Sequence, residues 1–272
     1  MIKLFRKIRQ RTLTENPPNG RAGKFGNYLL YATGEIILVV IGILIALQIN
    51  NWNEGQKQKS KEIEILTSMS ALLEEDQNSI EKIIPYNQRI RQSMDIILER
   101  LHDDLPYQDS LKYSFGNTIT YWFYDAKTSV FENLKSEGVN LISNKSLRRE
   151  IIDYYDDSGR YSTRLQADNY RRILEDASQN LLNIRFNSFW DGNYEQWILQ
   201  MENNDGEQDM MDIQIEMVPK NFEALKKDEK YLYFLRSLKN FNSWYMDRMF
   251  RARLIRVKEL RKNIESELVL LK

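Results

Sequence analysis

The hydrophobic pattern begins with one long apolar run. Residues 28–49 form 22 consecutive positions with a single charge, Glu35. As an α-helix rising ~1.5 Å per residue, this run would span about 33 Å, which matches a bilayer hydrocarbon core of about 30 Å. Tyr28 and Tyr31 stand near one end and Trp52 near the other, where amphipathic aromatic side chains favour the membrane interfaces. The pattern predicts one transmembrane helix.

After the run, apolar residues recur at intervals of three and four, as on one face of an α-helix. The first stripe, which we expect Pro85 to end, contains Ile63, Leu66, Leu73, Ile80 and Ile84. The same spacing predicts further helices over residues 86–103, 109–124, 129–137, 146–186 and 221–272. Gly138 supplies the stop signal of the short helix 129–137.

Residues 187–219 interrupt the helical pattern. They contain two Asp-Gly turns and two candidate short strands, over residues 196–201 and 212–218. The predicted fold class is therefore all-α. It consists of an N-terminal transmembrane helix and an elongated antiparallel helical bundle, with a small irregular or hairpin insertion near residues 187–219.

Charge is unevenly distributed in this chain, whose formal net charge is zero. Residues 1–50 contain seven basic and two acidic residues, a net charge of +5, beside the apolar run. The positive-inside rule then predicts a cytoplasmic tail (1–27), a signal anchor (28–50) and a helical domain (51–272) outside the cytoplasm, which in a Gram-negative bacterium would place it in the periplasm, beyond the inner membrane. The mildly acidic remainder lacks the basic footprint of a nucleic-acid groove, so we expect no nucleic-acid partner.

Two other kinds of segment also contain a long apolar run: a buried helix of a soluble protein and a cleaved signal peptide. A buried helix rarely combines the unbroken stretch Ile36–Leu47 with a neighbouring basic cluster. Against cleavage, 27 residues precede the run and no small-x-small site follows it. We therefore predict an uncleaved signal anchor in the lipid bilayer.

Glu35 admits two interpretations. In the first, its carboxylate lies in the cytoplasmic headgroup region, where a charge costs less than the ~2.5–3.5 kcal/mol of the bilayer centre. In the second, Glu35, Gly42 and Ala46, which are seven and four positions apart, share one helix face. The pair Gly42-x-x-x-Ala46 allows a second helix to approach closely. This interpretation predicts a packing face for another membrane protein or for a second copy of the chain.

The sequence offers few side chains for catalysis. It contains no cysteine and one histidine, His102, which excludes thiolate catalysis and leaves no Ser–His–Asp or Cys–His set without His102 itself. Neighbouring acids such as Glu74, Glu75 and Asp76 diverge around a helix, a pattern typical of solvated faces. We expect no catalytic residue, no metal site and no cofactor.

One aromatic cluster is a candidate ligand or partner site. It lies in the irregular segment, where binding groups concentrate, and consists of Phe186, Phe189, Trp190, Tyr194 and Trp197. The other aromatic clusters, over residues 121–124 and 231–245, have the spacing of helical core positions.

Two stretches carry a resemblance to a known family. Phe5-Arg-Lys-Ile-Arg9 followed by Gly34-Glu-Ile-Ile-Leu-Val-Val-Ile-Gly-Ile-Leu-Ile-Ala-Leu-Gln-Ile-Asn-Asn-Trp-Asn53 resembles the N-terminus of an uncharacterised family of bacterial, Bacteroidota-type single-pass membrane proteins. Leu134-Lys-Ser-Glu-Gly-Val-Asn-Leu-Ile-Ser-Asn-Lys-Ser-Leu-Arg-Arg-Glu-Ile-Ile-Asp-Tyr-Tyr155 resembles its central motif. The resemblance implies the anchor and the helical body, and it assigns no catalytic or ligand residue.

These observations favour a non-enzymatic interaction protein, a membrane-tethered scaffold or an accessory subunit of a membrane complex. The alternative is a periplasmic sensor or binding domain for a small ligand, which would signal through a partner because only residues 1–27 are left for the cytoplasm. A hydrolase that uses carboxylates alone is a third hypothesis.

Overall fold

The computed structural model describes residues 21–122, 124, 126–156, 163–187 and 215–272. Contacts divide the chain into two compact units, with the boundary between Ser60 and Lys61. Within the described residues the regular secondary structure is helical, and the only β-type pairing there is an isolated antiparallel bridge between Phe186 and Pro219. The all-α prediction is confirmed.

The longest helix, α1, comprises Arg21–His102. In the first unit, every large apolar side chain from Ile36 to Trp52 is exposed. Because successive residues point in different directions around a helix, this segment is apolar on every side. By length and composition, α1 is the one helix in the described part of the chain that is able to cross a membrane. A membrane anchor and a signal sequence share this property.

The prediction that Pro85 ends the first helix of the bundle is wrong, because α1 continues through Pro85 to His102. A proline inside a helix removes the hydrogen bond to the carbonyl four residues earlier, here that of Glu81. Both Pro85 and Glu81 are exposed, so water can hydrate that carbonyl. On the opposite side, the buried residues Ile80 and Ile83 hold the helix against the core.

The buried face of α1 follows a strict heptad pattern in the second unit. Its seam consists of the buried positions 62, 66, 69, 73, 76, 80, 83, 87, 90, 94, 97 and 101, and Ile65 and Ser93 beside the seam are also buried. Leu66, Leu73 and Ile80 lie on this face as predicted, whereas Ile63 and Ile84 are only partly buried. Alternating steps of three and four keep one seam of a helix against its neighbours over many turns.

The remaining helices are shorter. They are α2 (Leu111–Thr118), α3 (Ser129–Glu137), α4 (Lys145–Tyr155), α5 (Thr163–Ala177), α6 (Phe222–Leu225), α7 (Glu229–Trp244) and α8 (Arg251–Leu271). A 3₁₀ turn covers Val139–Leu141. Two segments are π-helical: Ser178–Leu182 follows α5, and Tyr245–Phe250 joins α7 to α8.

These bounds test the remaining helix predictions. The helix predicted over residues 129–137 is confirmed as α3, and Gly138 follows it with a φ of +102°, a conformation that favours glycine. The helix predicted over residues 109–124 ends early, at Thr118. Of the two candidate strands, the first lies outside the described residues, and the described part of the second, residues 215–218, is not a strand.

The second unit is a bundle of four segments that alternate in direction. The segment from α2 to α3 runs antiparallel to α1, since Asn117 donates to Ser93 Oγ at 3.0 Å and Lys61 pairs with Glu137 at 2.8 Å. The segment formed by α7 and α8 also runs antiparallel to α1. The ion pairs between them are Lys239–Asp95, Lys258–Glu81 and Arg261–Glu74, and just beyond the helix ends Lys226 pairs with Asp104.

The segment that begins with α4 completes the bundle by packing antiparallel to α8. Asn144 Nδ2 donates to Glu267 at 2.7 Å, and Asn263 Nδ2 donates to Glu150 at 2.7 Å. Farther along, the carbonyl of Asp153 accepts from Arg256 at 2.8 Å. The predicted antiparallel bundle is therefore present in the second unit.

Two hydrophobic clusters fill the bundle. The first packs the Lys61 half of α1 against α3, α4 and α8, and the second packs the His102 half against α2, α5 and α7. Trp122 contacts both clusters. It lies in the non-helical stretch between α2 and α3, which crosses from one half of the bundle to the other.

Candidate functional site

The face predicted on the apolar helix consists of Glu35, Gly42 and Ala46. The structure places all three on α1, and spacings of seven and four put them on one side of that helix. A Cβ atom built on Gly42 would meet no other heavy atom within 4 Å. The small residue is therefore not required by any contact among the described residues, and the face is available to a second helix.

The predicted aromatic cluster falls largely outside the described residues. Of its five members, only Phe186 is described; the other four lie outside the described residues: Phe189, Trp190, Tyr194 and Trp197. Its side chain is buried in the core. Phe186 contacts Phe115 and Tyr231, with ring centroids 5.1 and 5.4 Å away.

The single histidine lies on the surface at the end of α1. Its Nδ1 is 2.8 Å from Oδ1 of Asp103, and 78% of its side chain is exposed. No group of three or more potential metal-ligating side chains occurs in the part of the chain that the structure describes. His102 therefore takes part in a local surface contact with one carboxylate.

A buried polar layer inside the bundle is the principal feature that the sequence did not predict. Asp76 was expected on a solvated face, and this expectation is wrong, because only 1% of Asp76 is exposed. The neighbouring Glu74 and Glu75 are exposed as expected. Asp76 occupies a core position of the heptad, three residues after Leu73 and four before Ile80.

The side chains around Asp76 come from three other segments of the bundle. Tyr124 lies between α2 and α3, Tyr154 belongs to α4, and Arg253 belongs to α8. The backbone N–H of Lys127 donates to Asp76 Oδ1 at 3.4 Å. Each of the four segments therefore contributes a polar group to this layer.

Burial sets the electrostatics of Asp76. Removal from water raises the pKa of its carboxyl group above the ordinary value of 3.8. The Tyr124 hydroxyl, the Lys127 amide and the positive charge of Arg253 all favour the carboxylate and offset part of this effect. Burial remains the largest influence, so the net effect is a pKa above the ordinary value.

The two tyrosines of the layer interact with each other, and Tyr154 also contacts Arg253. Their hydroxyl oxygens are 3.5 Å apart. Burial raises the pKa of Tyr124, and Tyr154 and Asp76 reinforce the shift. The guanidinium carbon of Arg253 lies 3.7 Å from the centre of the Tyr154 ring, and its Nη1 donates to the Tyr154 carbonyl at 3.0 Å. The arginine is thus stacked on an aromatic face, which favours a buried cation.

This arrangement favours structural specificity over chemistry on a substrate. Asp76, Tyr124 and Tyr154 are each at least 98% buried, so no soluble substrate reaches their polar atoms in this conformation. A polar layer that draws one group from each segment favours a single register of the bundle, because any other register leaves buried groups without partners.

A second set of polar contacts gives a structural role to polar residues of the motif between Leu134 and Tyr155. Glu62 of α1 is buried and accepts from the Ser143 backbone N–H at 2.7 Å and from the Ser143 hydroxyl at 2.9 Å. Asn144 caps α4 by accepting from the N–H groups of Ser146 and Leu147. These contacts fix the start of α4 against α1 and, through Glu267, against α8. The motif therefore has a structural role.

Comparison with known proteins adds a family but no activity. A family model described as "Family of unknown function (DUF6090)" matches residues 35–190, more than half of the 272 residues. The match includes the apolar helix from Glu35 onward and the Leu134–Tyr155 motif. Neither a curated protein nor a solved structure matches the chain.

Proposed function

The chain belongs to the DUF6090 family of unknown function, and we propose that it is a membrane-anchored helical interaction protein. It would serve as a scaffold or as an accessory subunit of a membrane complex, without catalysis. The observation that carries this proposal is the fully exposed apolar segment of α1, with its face of Glu35, Gly42 and Ala46. An apolar helix exposed on all sides requires lipid or another helix around it.

The proposed anchor gives the face a defined partner type. In a bilayer, helix association depends on close packing and on polar contacts between helices, since lipid tails already satisfy apolar side chains. Gly42 and Ala46 permit the close packing, and Glu35 is the polar group that a partner helix would satisfy. The partner is therefore a second transmembrane helix, from another membrane protein or from a second copy.

Substitutions on this face test the proposal. We expect Glu35→Leu and Gly42→Leu to leave membrane insertion intact and to reduce crosslinking from a photoreactive residue at position 46. Leu44→Phe is the matched control, because position 44 lies about 200° around the helix from position 42 at ~100° per residue. Equal crosslinking in all three variants would show that the face does not mediate association.

For orientation, we propose that residues 1–27 lie in the cytoplasm and residues 51–272 in the periplasm of a bacterial inner membrane. The support is the net charge of +5 over residues 1–50. The chain contains no cysteine, so a single introduced cysteine reports its own location to a membrane-impermeant maleimide. Labelling of Ser110→Cys, but not of Asn19→Cys, in intact spheroplasts is the expected result. The reverse pattern would invert the topology.

A further inference from the structure

We propose that the outward face of α7 and α8 binds an acidic, amphipathic helical segment of a partner protein. The proposal rests on the proposed interaction function and names a second contact surface for it. The face is defined here as the outer stripe: Tyr233, Arg236, Trp244, Arg248 and Ile255. All five residues lie outside the segment that the family model matches.

Exposure of large side chains first distinguishes the outer stripe. Tyr233 is 75% exposed, Trp244 is 51% exposed and Ile255 is 57% exposed. Each is 11 residues from the next, close to three turns of a helix. The three side chains are therefore about 16 Å apart on one side of the segment, at ~1.5 Å per residue.

The π-helical segment Tyr245–Phe250 keeps this alignment. From α7 into the π-helical segment, buried positions follow the series 235, 242 and 249, and from the end of that segment into α8 they follow the series 250, 257 and 264. The core-facing series thus shifts by one residue at the π-helical segment, which adds a residue to the turn. Because the core-facing side is kept through the junction, Tyr233, Trp244 and Ile255 all remain opposite the core.

Charge identifies the partner's chemistry. Between Lys230 and Lys258 the sequence contains eight basic residues and one acidic residue, Asp247. Lys239 and Lys258 are neutralised by carboxylates of α1. Arg236 and Arg248 have no carboxylate partner within the described ranges, and both are exposed. An acidic surface is the complement of such a stripe.

The side chains of the outer stripe also have the composition of a binding surface. Tyr, Trp and Arg are the residue types that contribute most to binding energy at protein interfaces. The Arg248 guanidinium lies 4.7 Å from the centre of the Trp244 ring, which orders both side chains before a partner binds. Three exposed neighbouring positions, Ser237, Asn240 and Ala252, are small or uncharged, whereas exposed Glu229 and Glu259 flank the two ends of the stripe.

Photocrosslinking in native membranes tests this inference with the full-length protein. A photoreactive phenylalanine derivative replaces Trp244 or Ile255, and Ser136, exposed on α3, serves as the control position. We expect crosslinks from positions 244 and 255 to a protein segment with net negative charge and apolar residues at helical spacing. Crosslinking should fall at least fivefold when Arg248→Glu is combined with the photoreactive residue, and also when the NaCl concentration is raised to 0.5 M. Lys145→Glu, a charge reversal on α4, should have no effect.

The other outcomes overturn the inference in distinguishable ways. Crosslinks to lipid, to a second copy of the chain or to residues 188–214 of the same chain would each show that no acidic partner segment covers the outer stripe. Crosslinks to a protein that resist Arg248→Glu would refute the charge argument. If crosslinks form from position 46 and not from positions 244 and 255, the outer stripe fails while the proposed function stands. If neither region crosslinks to protein, both fail.

Discussion

The close approach of Gly116 to a neighbouring segment makes a sharp stability prediction. Gly116 lies in α2, against residues 215–218, which have no regular secondary structure. A Cβ atom at position 116 would lie 1.7 Å from the carbonyl oxygen of Ile215 and 2.5 Å from its carbonyl carbon. Since both are backbone atoms, no side-chain rotation relieves the overlap, and the backbone of residues 215–218 itself must move.

The magnitude of Gly116→Ala follows from what that movement disrupts. The segment must shift by roughly 1.5–2 Å to reach ordinary contact at ~3.5 Å. The shift strains the hydrogen bond from the Met217 N–H to the Lys112 carbonyl, now 3.1 Å, and loosens the buried Met217 side chain. Overpacking of this kind destabilises by about 1–3 kcal/mol, and a lost hydrogen bond adds about 1 kcal/mol. Alanine's helix propensity returns only about 1 kcal/mol.

We therefore expect Gly116→Ala to lower the free energy of unfolding by about 1–3 kcal/mol. The assay is urea unfolding of the full-length protein in detergent micelles, followed by tryptophan fluorescence and circular dichroism. Gly55→Ala is the matched control, since a Cβ there meets nothing within 4 Å, and it should be neutral or slightly stabilising. A Gly116→Ala protein as stable as the wild type would refute the placement of residues 215–218 against α2.

Three further predictions concern the bundle. Burial raises the pKa of Asp76, so the stability that the protonated group contributes is present below pH 3.8 and is lost as the pH rises through the folded-state pKa. We therefore expect Asp76→Asn to be more stable than the wild type at neutral pH and equally stable in acid. A difference in urea midpoints that does not change with pH would contradict this. Asn144→Ala removes the two cap hydrogen bonds of α4 and should destabilise by about 1–2 kcal/mol, measurable by thermal unfolding against the exposed control Asn140→Ala. Leu134→Ala empties a fully buried site and should cost about 2–5 kcal/mol; a loss below 1 kcal/mol in the same assay would mean that α3 does not pack as described.

Much of the helical architecture follows from local sequence patterns. The apolar run, α3 with Gly138, and the stripe of Leu66, Leu73 and Ile80 were predictable because spacing and stop signals act within a few turns. Pro85 was misjudged for a physical reason. Its cost depends on which face it occupies, and the burial pattern that places it on the solvated side is set by the other three segments.

The buried polar layer was not predictable in the same way. Asp76 directly follows two other acids, a pattern typical of a solvated face, and its partners Tyr124, Tyr154 and Arg253 are far away in sequence. The strict heptad was the available signal. Counting steps from Leu66 and Leu73 places Asp76 at a core position, and a carboxylate there requires polar partners from elsewhere in the bundle.

The exposed positions of the aromatic residues in the outer stripe also could not be predicted from the sequence. Tyr233 and Trp244 belong to an aromatic cluster whose helical spacing predicted core positions, and another member of that cluster, Tyr231, is buried. Spacing alone did not reveal which side of α7 faces the bundle, because aromatic residues occur on both sides. The ion pair from Lys239 to Asp95 of α1 fixes that choice.

The most direct test of the central proposal is mild detergent purification of the full-length protein from its native membrane. Mass spectrometry would then identify the proteins that co-elute in a fixed ratio. We expect either a stoichiometric membrane partner or a defined homo-oligomer. In both cases Gly42→Leu should abolish the association, whereas Leu44→Phe should preserve it. Recovery of the wild-type protein as a monomer without any partner, or its release from membranes by alkaline carbonate without detergent, would contradict a membrane-anchored interaction protein.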